Sequence, residues 1–130
     1  MIGSVLDWIA SYEPQPAHLV GTGGAIGAIL RHWVYLSVAG DRFPWPTLAV
    51  NTVGSFVFAL VVFAGAAESV VQLVGIGICG AFTTFSTFSV ETVQLWERGD
   101  RWVAVANAVG NLVLSLSAVG LAWLVVAGLA

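Results

Sequence analysis

The chain has 130 residues, 58% of them apolar and 8% charged, with a formal net charge of −3, whereas an ordinary soluble domain carries about 25% charged residues. So little charge cannot cover a soluble surface, and four arginines without lysine against seven acids exclude a nucleic-acid binder. Cys79 stands alone, which excludes an internal disulfide and a cysteine-based metal cluster. Fifteen glycines without a collagen period suit close-packed membrane helices. The composition is that of an all-α, multi-pass integral protein of the cell membrane, folded as one domain over 1–130.

Along the chain, the first element is short. Ile2, Val5, Leu6 and Ile9 share one helical face within residues 1–13, the pattern either of a helix lying on the lipid surface or of a frayed tail. No charged n-region or small-residue cleavage site is present there, so no cleavable signal is predicted. Spanning needs about 20 mainly apolar residues. Residues 43–67, 69–90 and 102–130 hold no Asp, Glu, Lys or Arg, and a further apolar stretch precedes them. Four spans are therefore predicted, at 18–39, 46–66, 70–96 and 102–128. Pro14-Gln15-Pro16 opens the first, and Phe43-Pro44-Trp45-Pro46 opens the second with interfacial aromatic rings. Glu97-Arg98-Gly99-Asp100-Arg101 turns the chain between the third and fourth. The loop arginines Arg42, Arg98 and Arg101 all lie in the first and third loops, which places those loops in the cytoplasm and both termini outside.

Polar groups at membrane depth are costly, so their placement is informative. The first span holds Gly23 and Gly27 at GxxxG spacing, with Gly24 and Ala28 repeating it one residue on; close helix packing is the expected use, a backbone-lined cavity the other. Arg31 in the same span either snorkels to the interface or faces an aqueous vestibule. In the second span Thr47, Asn51 and Gly54 recur at helical spacing with Ser55 alongside. In the fourth, Asn107, Asn111 and Ser115 recur every four residues and stack as a polar track. The third is anomalous: Gly75, Gly77 and Gly80 lead into Thr83-Thr84-Phe85-Ser86-Thr87-Phe88-Ser89. Isolated hydroxyls in a spanning helix bond the i−4 carbonyl, but this density after glycines predicts a break that frees backbone carbonyls. Such a break is tolerated only inside protein or beside a cavity. An aromatic ring edge there would present positive charge to an anion.

Three blocks resemble the Fluc (CrcB-type) fluoride channels: Gly23-Gly24-Ala25-Ile26-Gly27-Ala28 followed by Arg31; Thr47 through Phe56 around Asn51; and Gly80-Ala81-Phe82-Thr83-Thr84-Phe85-Ser86-Thr87-Phe88-Ser89-Val90-Glu91. The likeness covers residues 18–128 with one block on each of the first three spans. It implies a channel through which toxic fluoride leaves the cell passively. It also implies a two-subunit antiparallel assembly in membrane lipid with two pores, either a homodimer or a heterodimer with an oppositely oriented homologue. A structural sodium ion, not transported, would be held by the carbonyls of Gly80 and Thr83. Phe85 and Phe88 would turn their ring edges to fluoride, Asn51 would donate to it, and Ser86 and Thr87 would line the path. Asn107, Asn111 and Ser115 would fall on the polar track, with Arg31 at the vestibule and Glu91 closing the third block. Asn107 occupies a track position where the resemblance leads one to expect tyrosine or another residue. The one-sided loop arginines depart from a chain that inserts in both directions, and they predict a fixed orientation.

No His pair, Ser/His/Asp set or carboxylate dyad shares a helical face, so no enzyme is expected; His18 and His32 sit at opposite ends of the first span. His18 is read as interfacial, His32 as structural and Cys79 as a small buried apolar group. The competing reading is a small proton-coupled multidrug exporter. That mechanism wants an acid midway along the first span, where this chain has glycine and alanine.

Overall fold

A computed structural model describes residues 2–11 and 15–129, and among these every regular element is helical. Helix α1 covers Ile2–Ala10, α2 Pro16–Ser37 and α3 Trp45–Phe63. A third rod starts with Glu68–Val70, continues as a π-helical stretch Val71–Cys79 and ends with Gly80–Phe82; residues 68–82 are called α4. Helix α5 is Phe85–Glu97 and α6 is Arg101–Leu129. Within 1–13, where a helix on the lipid surface or a frayed tail is expected, the chain forms α1, on which Val5 and Leu6 are exposed. Positions 1, 12 and 13, and the side chains of Ile2 and Ile9, lie outside the described residues.

Local chemistry sets the helix ends. Pro16 sits in the first turn of α2 and Pro46 in that of α3, where a missing N–H has no intrahelical partner to lose. Trp45 stacks obliquely on Phe43 at 4.5 Å between ring centroids and stays half exposed, as suits a headgroup anchor. Two Schellman caps make the reversals. Gly65 (φ 62) lets the Ala66 N–H reach the Val61 carbonyl, and Gly99 (φ 93) lets the Asp100 N–H reach the Leu95 carbonyl. Each cap is followed at once by the next helix, so α3 and α6 run parallel and the rod at 68–97 runs against both.

Glycine determines which faces meet. A methyl group on Gly23 would overlap the Leu73 carbonyl oxygen, and one on Gly27 the Ile78 carbonyl oxygen. The Gly23/Gly27 face therefore carries α2 onto α4, while Gly24 on the offset repeat faces open space. On α4, Gly77 meets Gly23 and Gly75 meets the Phe58 ring. The alternating buried residues Gly75, Gly77 and Cys79 thus belong to a rod gripped on two sides, by α2 and by α3.

Three helical stretches are long and apolar enough to cross a membrane: Trp45–Phe63, Glu68–Glu97 and Arg101–Leu129. Helix α2, expected as the first of four spans, has 22 residues and so reaches about 33 Å. Its four glycines, Arg31, both histidines and Pro16 dilute it below the apolarity of the others. Large apolar side chains such as Trp33, Leu36, Trp123 and Leu124 cover the outside, while the buried core is mostly small, with Val50, Ala59, Ala104, Ala118 and Ala122 beside Leu48. That inversion suits a hydrocarbon solvent and close-approaching backbones.

The rod breaks where the hydroxyl run begins. Thr83 (φ −78, ψ 160) and Thr84 (φ −151, ψ 112) are extended between Phe82 and Phe85. Only these two residues leave the helix, a narrower interruption than the seven-residue hydroxyl-rich run. Thr84 then caps α5, its hydroxyl accepting the Thr87 N–H at 3.1 Å.

Candidate functional site

The exposed backbone of the break is taken up by one amide on the neighbouring helix. Asn51 of α3 accepts the Thr84 N–H at Oδ1 (2.8 Å) and donates Nδ2 to the Thr84 carbonyl (3.2 Å), acting as a strand partner for a single residue. The Thr83 N–H goes to the Cys79 carbonyl at 3.0 Å. With the Thr84 N–H drawn to Asn51, the Gly80 carbonyl loses the donor that an unbroken helix would supply four residues on. Arg31 approaches from α2, its Nη1 lying 3.4 Å from the Thr83 carbonyl. The Thr83 hydroxyl turns the other way, donating to the Cys79 carbonyl at 2.9 Å.

From Asn51 a neutral relay runs through α6 and back to α5. Asn51 Nδ2 donates to Asn111 Oδ1 at 2.9 Å. Asn111 Nδ2 donates to Asn107 Oδ1 (2.9 Å) and to the Asn107 carbonyl (3.0 Å). Asn107 Nδ2 donates to Thr92 Oγ1 at 2.9 Å, and Thr92 donates to the Phe88 carbonyl at 2.7 Å. The relay thus begins at the first residue before α5 and ends in that helix, stapling it to α3 and α6. Each amide makes bonds at both its oxygen and its nitrogen, so these buried groups avoid the penalty of an orphaned donor or acceptor. No member is charged.

Beside the break lies a cavity of about 500 Å³, lined by Asn51, Ser55, Thr83 and Asn111 with Ser115 and the rings of Phe85 and Phe88. The two rings are 5.6 Å apart between centroids, and Phe85 is 79% exposed. No charged side chain lines this cavity. A second cavity of about 310 Å³ is lined by Ala28, Arg31, His32, Tyr35 and Thr87. Tyr35 bonds Thr47 there at 2.6 Å between oxygens.

The sequence-derived residues therefore divide. Asn51, Phe85, Phe88, Asn111 and Ser115 converge on the first cavity, while Arg31 and Thr87 face the second. Gly80 and Thr83 meet at a third, about 390 Å³, lined also by Gly54, Ser55 and Phe58. Asn107 is fully buried inside the relay and lines none of these three cavities. Ser86 lies exposed with its hydroxyl 3.3 Å from that of Thr84. Glu91 is one turn beyond Phe88, its Oε2 buried without a hydrogen-bond partner among the described residues. Sequence reasoning passed over Thr92, because a helical threonine ordinarily bonds its own i−4 carbonyl and signals nothing more. It gave Tyr35 no role either; the only available signal was a polar tip late in α2.

Comparison with known proteins fits this geometry. The profile of the family described as "CrcB-like protein, Camphor Resistance (CrcB)" matches residues 18–123. The chain belongs to the CrcB family. Among curated CrcB-type relatives, "Fluoride-specific ion channel FluC 2" of Haloarcula marismortui is 53% identical over 109 residues, covering 84% of this chain and 92% of the relative. "Fluoride-specific ion channel FluC 1" of Halobacterium salinarum is 51% identical over 113 residues, covering 86% and 94%. "Fluoride-specific ion channel FluC 3" of Methanosarcina acetivorans is 46% identical over 107 residues, covering 82% and 96%. The CrcB match spans α2 to α6, including the break and every relay residue, and leaves out α1. Family membership and the three apolar rods make this a multi-pass membrane protein.

Proposed function

We propose that this chain is a fluoride channel through which fluoride leaves the cell down its gradient, lowering the cytoplasmic concentration. The observation that carries this reading is the uncharged cavity at the helix break, lined by hydroxyls, amides and two phenylalanine rings. Fluoride is small and strongly hydrated, so a narrow path must replace water with donors. A fixed cation inside the path would trap the ion, whereas neutral donors and ring edges bind weakly enough for release. Arg31, at the second cavity, supplies positive potential at an entrance and draws anions in. The relatives' printed names support the same assignment.

In this proposal α2 is the fourth span, and two subunits pair antiparallel in lipid, the second being another copy or an inverted homologue. The break suits a structural sodium ion. Uncharged carbonyl oxygens are what a hard cation takes as ligands, and the Gly80 carbonyl is left without its helical donor. The carbonyls of Gly80 and Thr83 would hold that ion, which would supply a fixed positive charge at the break.

The test is purified protein in fluoride-loaded liposomes, read with a fluoride electrode. Rapid release without a proton gradient is expected. Release that requires a proton gradient identifies an exporter, and no release under either condition identifies a non-transporting membrane subunit. An exporter is disfavoured by α2 itself, which carries no acid along its length.

A further inference from the structure

Resting on the fluoride-channel reading, we propose that Ser55 is an anion-binding residue of the path, acting with Ser115 as the pair of hydroxyls that donate to the passing ion. The assignment follows from which donors in the 500 Å³ cavity are free. Five polar side chains line it: Asn51, Ser55, Thr83, Asn111 and Ser115. Asn51 Nδ2 is committed to the Thr84 carbonyl and Asn111 Oδ1, and Asn111 Nδ2 to the Asn107 carbonyl and Oδ1. The Thr83 hydroxyl donates to Cys79. Among the described residues, no hydrogen bond engages the hydroxyl of Ser55 or Ser115.

Thr52 Oγ1, also unpartnered, is buried and lines none of the three cavities, so what sets Ser55 and Ser115 apart is an unbonded hydroxyl placed on a cavity wall. A serine or threonine in a membrane helix has a carbonyl available four residues back. Ser37 donates to Trp33, Thr83 to Cys79, Ser89 to Phe85 and Thr92 to Phe88, all at that spacing. Ser55 and Ser115, both half-buried and both on the cavity wall, do not.

Their placement is matched. Ser55 is one turn beyond Asn51 on α3, and Ser115 is one turn beyond Asn111 on α6, helices that run parallel. Since Asn51 and Asn111 bond each other directly, the two serines form the next rung of the same ladder, about 6 Å further on. The lower rung is closed upon itself and positions the break. The upper rung keeps two protons for a ligand, facing a cavity that also holds the Phe85 and Phe88 rings. A dehydrated anion entering here meets these hydroxyls as its available side-chain donors.

The test compares fluoride efflux from liposomes containing the unaltered protein, Ser55→Ala, Ser55→Thr and Ser37→Ala. A hydrogen bond to a charged group has a strength that translates into about tenfold or more in rate or affinity. Ser55→Ala is expected to lower flux by about tenfold, Ser55→Thr to keep most of it, and Ser37→Ala to match the unaltered protein. Ser55→Ala with undiminished flux, in a preparation whose unaltered protein conducts, overturns the role of Ser55 and leaves the channel reading standing. An unaltered protein that releases no fluoride overturns both. Equal losses in Ser55→Ala and Ser55→Thr place Ser55 in packing and also overturn the proposal. If Ser55→Ala fails to assemble, Ser55→Cys, close in size with a weak donor, takes its place in the comparison and is expected to lose flux like alanine.

Discussion

Asn51 does two different jobs with one amide, and losing either has a measurable consequence. Its bonds to Thr84 hold main-chain groups opened by the break, whereas its bond to Asn111 joins two side chains. Interhelical side-chain bonds in membranes contribute only about 0.6 kcal/mol on average, while a buried backbone donor left unpaired costs about 1–3 kcal/mol. Asn51→Leu, which strands the Thr84 N–H, is therefore expected to lower stability by roughly 2–4 kcal/mol, and Asn111→Leu by a comparable amount, because it strands the buried Asn107 Oδ1 as well as the Asn51 amide. Thermal unfolding in detergent checks both, and a loss under about 1 kcal/mol in Asn51→Leu would contradict its pairing with Thr84. At Thr83 the hydroxyl faces Cys79 while the carbonyl faces away, so Thr83→Ala should retain any sodium-dependent rise in melting temperature. Loss of that rise would move the ligand from carbonyl to hydroxyl. The period-four asparagines were legible in the sequence as a track, but their closure upon one another was not. It depends on Thr84 and Thr92, whose roles appear only once α5 is set against α3 and α6.

Among the elements, α4 is the one whose neighbours are fixed by the absence of side chains. A methyl on Gly77 would lie 2.8 Å from the Gly23 Cα and 2.9 Å from the Val20 carbonyl oxygen, both backbone atoms that cannot swing aside. Gly77→Ala must push α2 away and is expected to cost about 1–3 kcal/mol. Gly110→Ala on α6 meets nothing within 4 Å and should be neutral or slightly stabilising. Melting temperatures of the two variants read the contrast, and a neutral Gly77→Ala would mean that α2 and α4 are not locked. Helix ends were the most legible feature: the Pro-rich starts and the glycine reversals lie within a few residues of the expected limits. The break was legible as a location, from the hydroxyl run after glycine, but not in its extent. Five hydroxyls do not all need backbone freed around them, because Ser86, Thr87 and Ser89 resume helical geometry once Thr84 has capped α5.

For the whole molecule, a scant core of alanine, valine and glycine inside a coat of leucine and tryptophan makes sense only in hydrocarbon. Its orientation there is a separate question, for which the loop charges make a prediction. Arg42, Arg98 and Arg101 all fall in the first and third loops, and Arg101 lies 5.4 Å from the Trp96 ring, a cation–π pair at one membrane boundary. A C-terminal reporter should appear on the outer face alone, and equal populations facing both ways would sink the fixed orientation and with it the case for an inverted homologue as partner. In the proposed channel, fluoride passes the ring pair beside the break. The most direct measurement is the initial rate of fluoride efflux from liposomes for the unaltered protein, Phe85→Ile and Phe88→Ile, each checked for intact assembly by size-exclusion chromatography. Passive efflux in the unaltered protein that falls about tenfold or more in either variant is the predicted result; assembled variants that both conduct at the unaltered rate would contradict it.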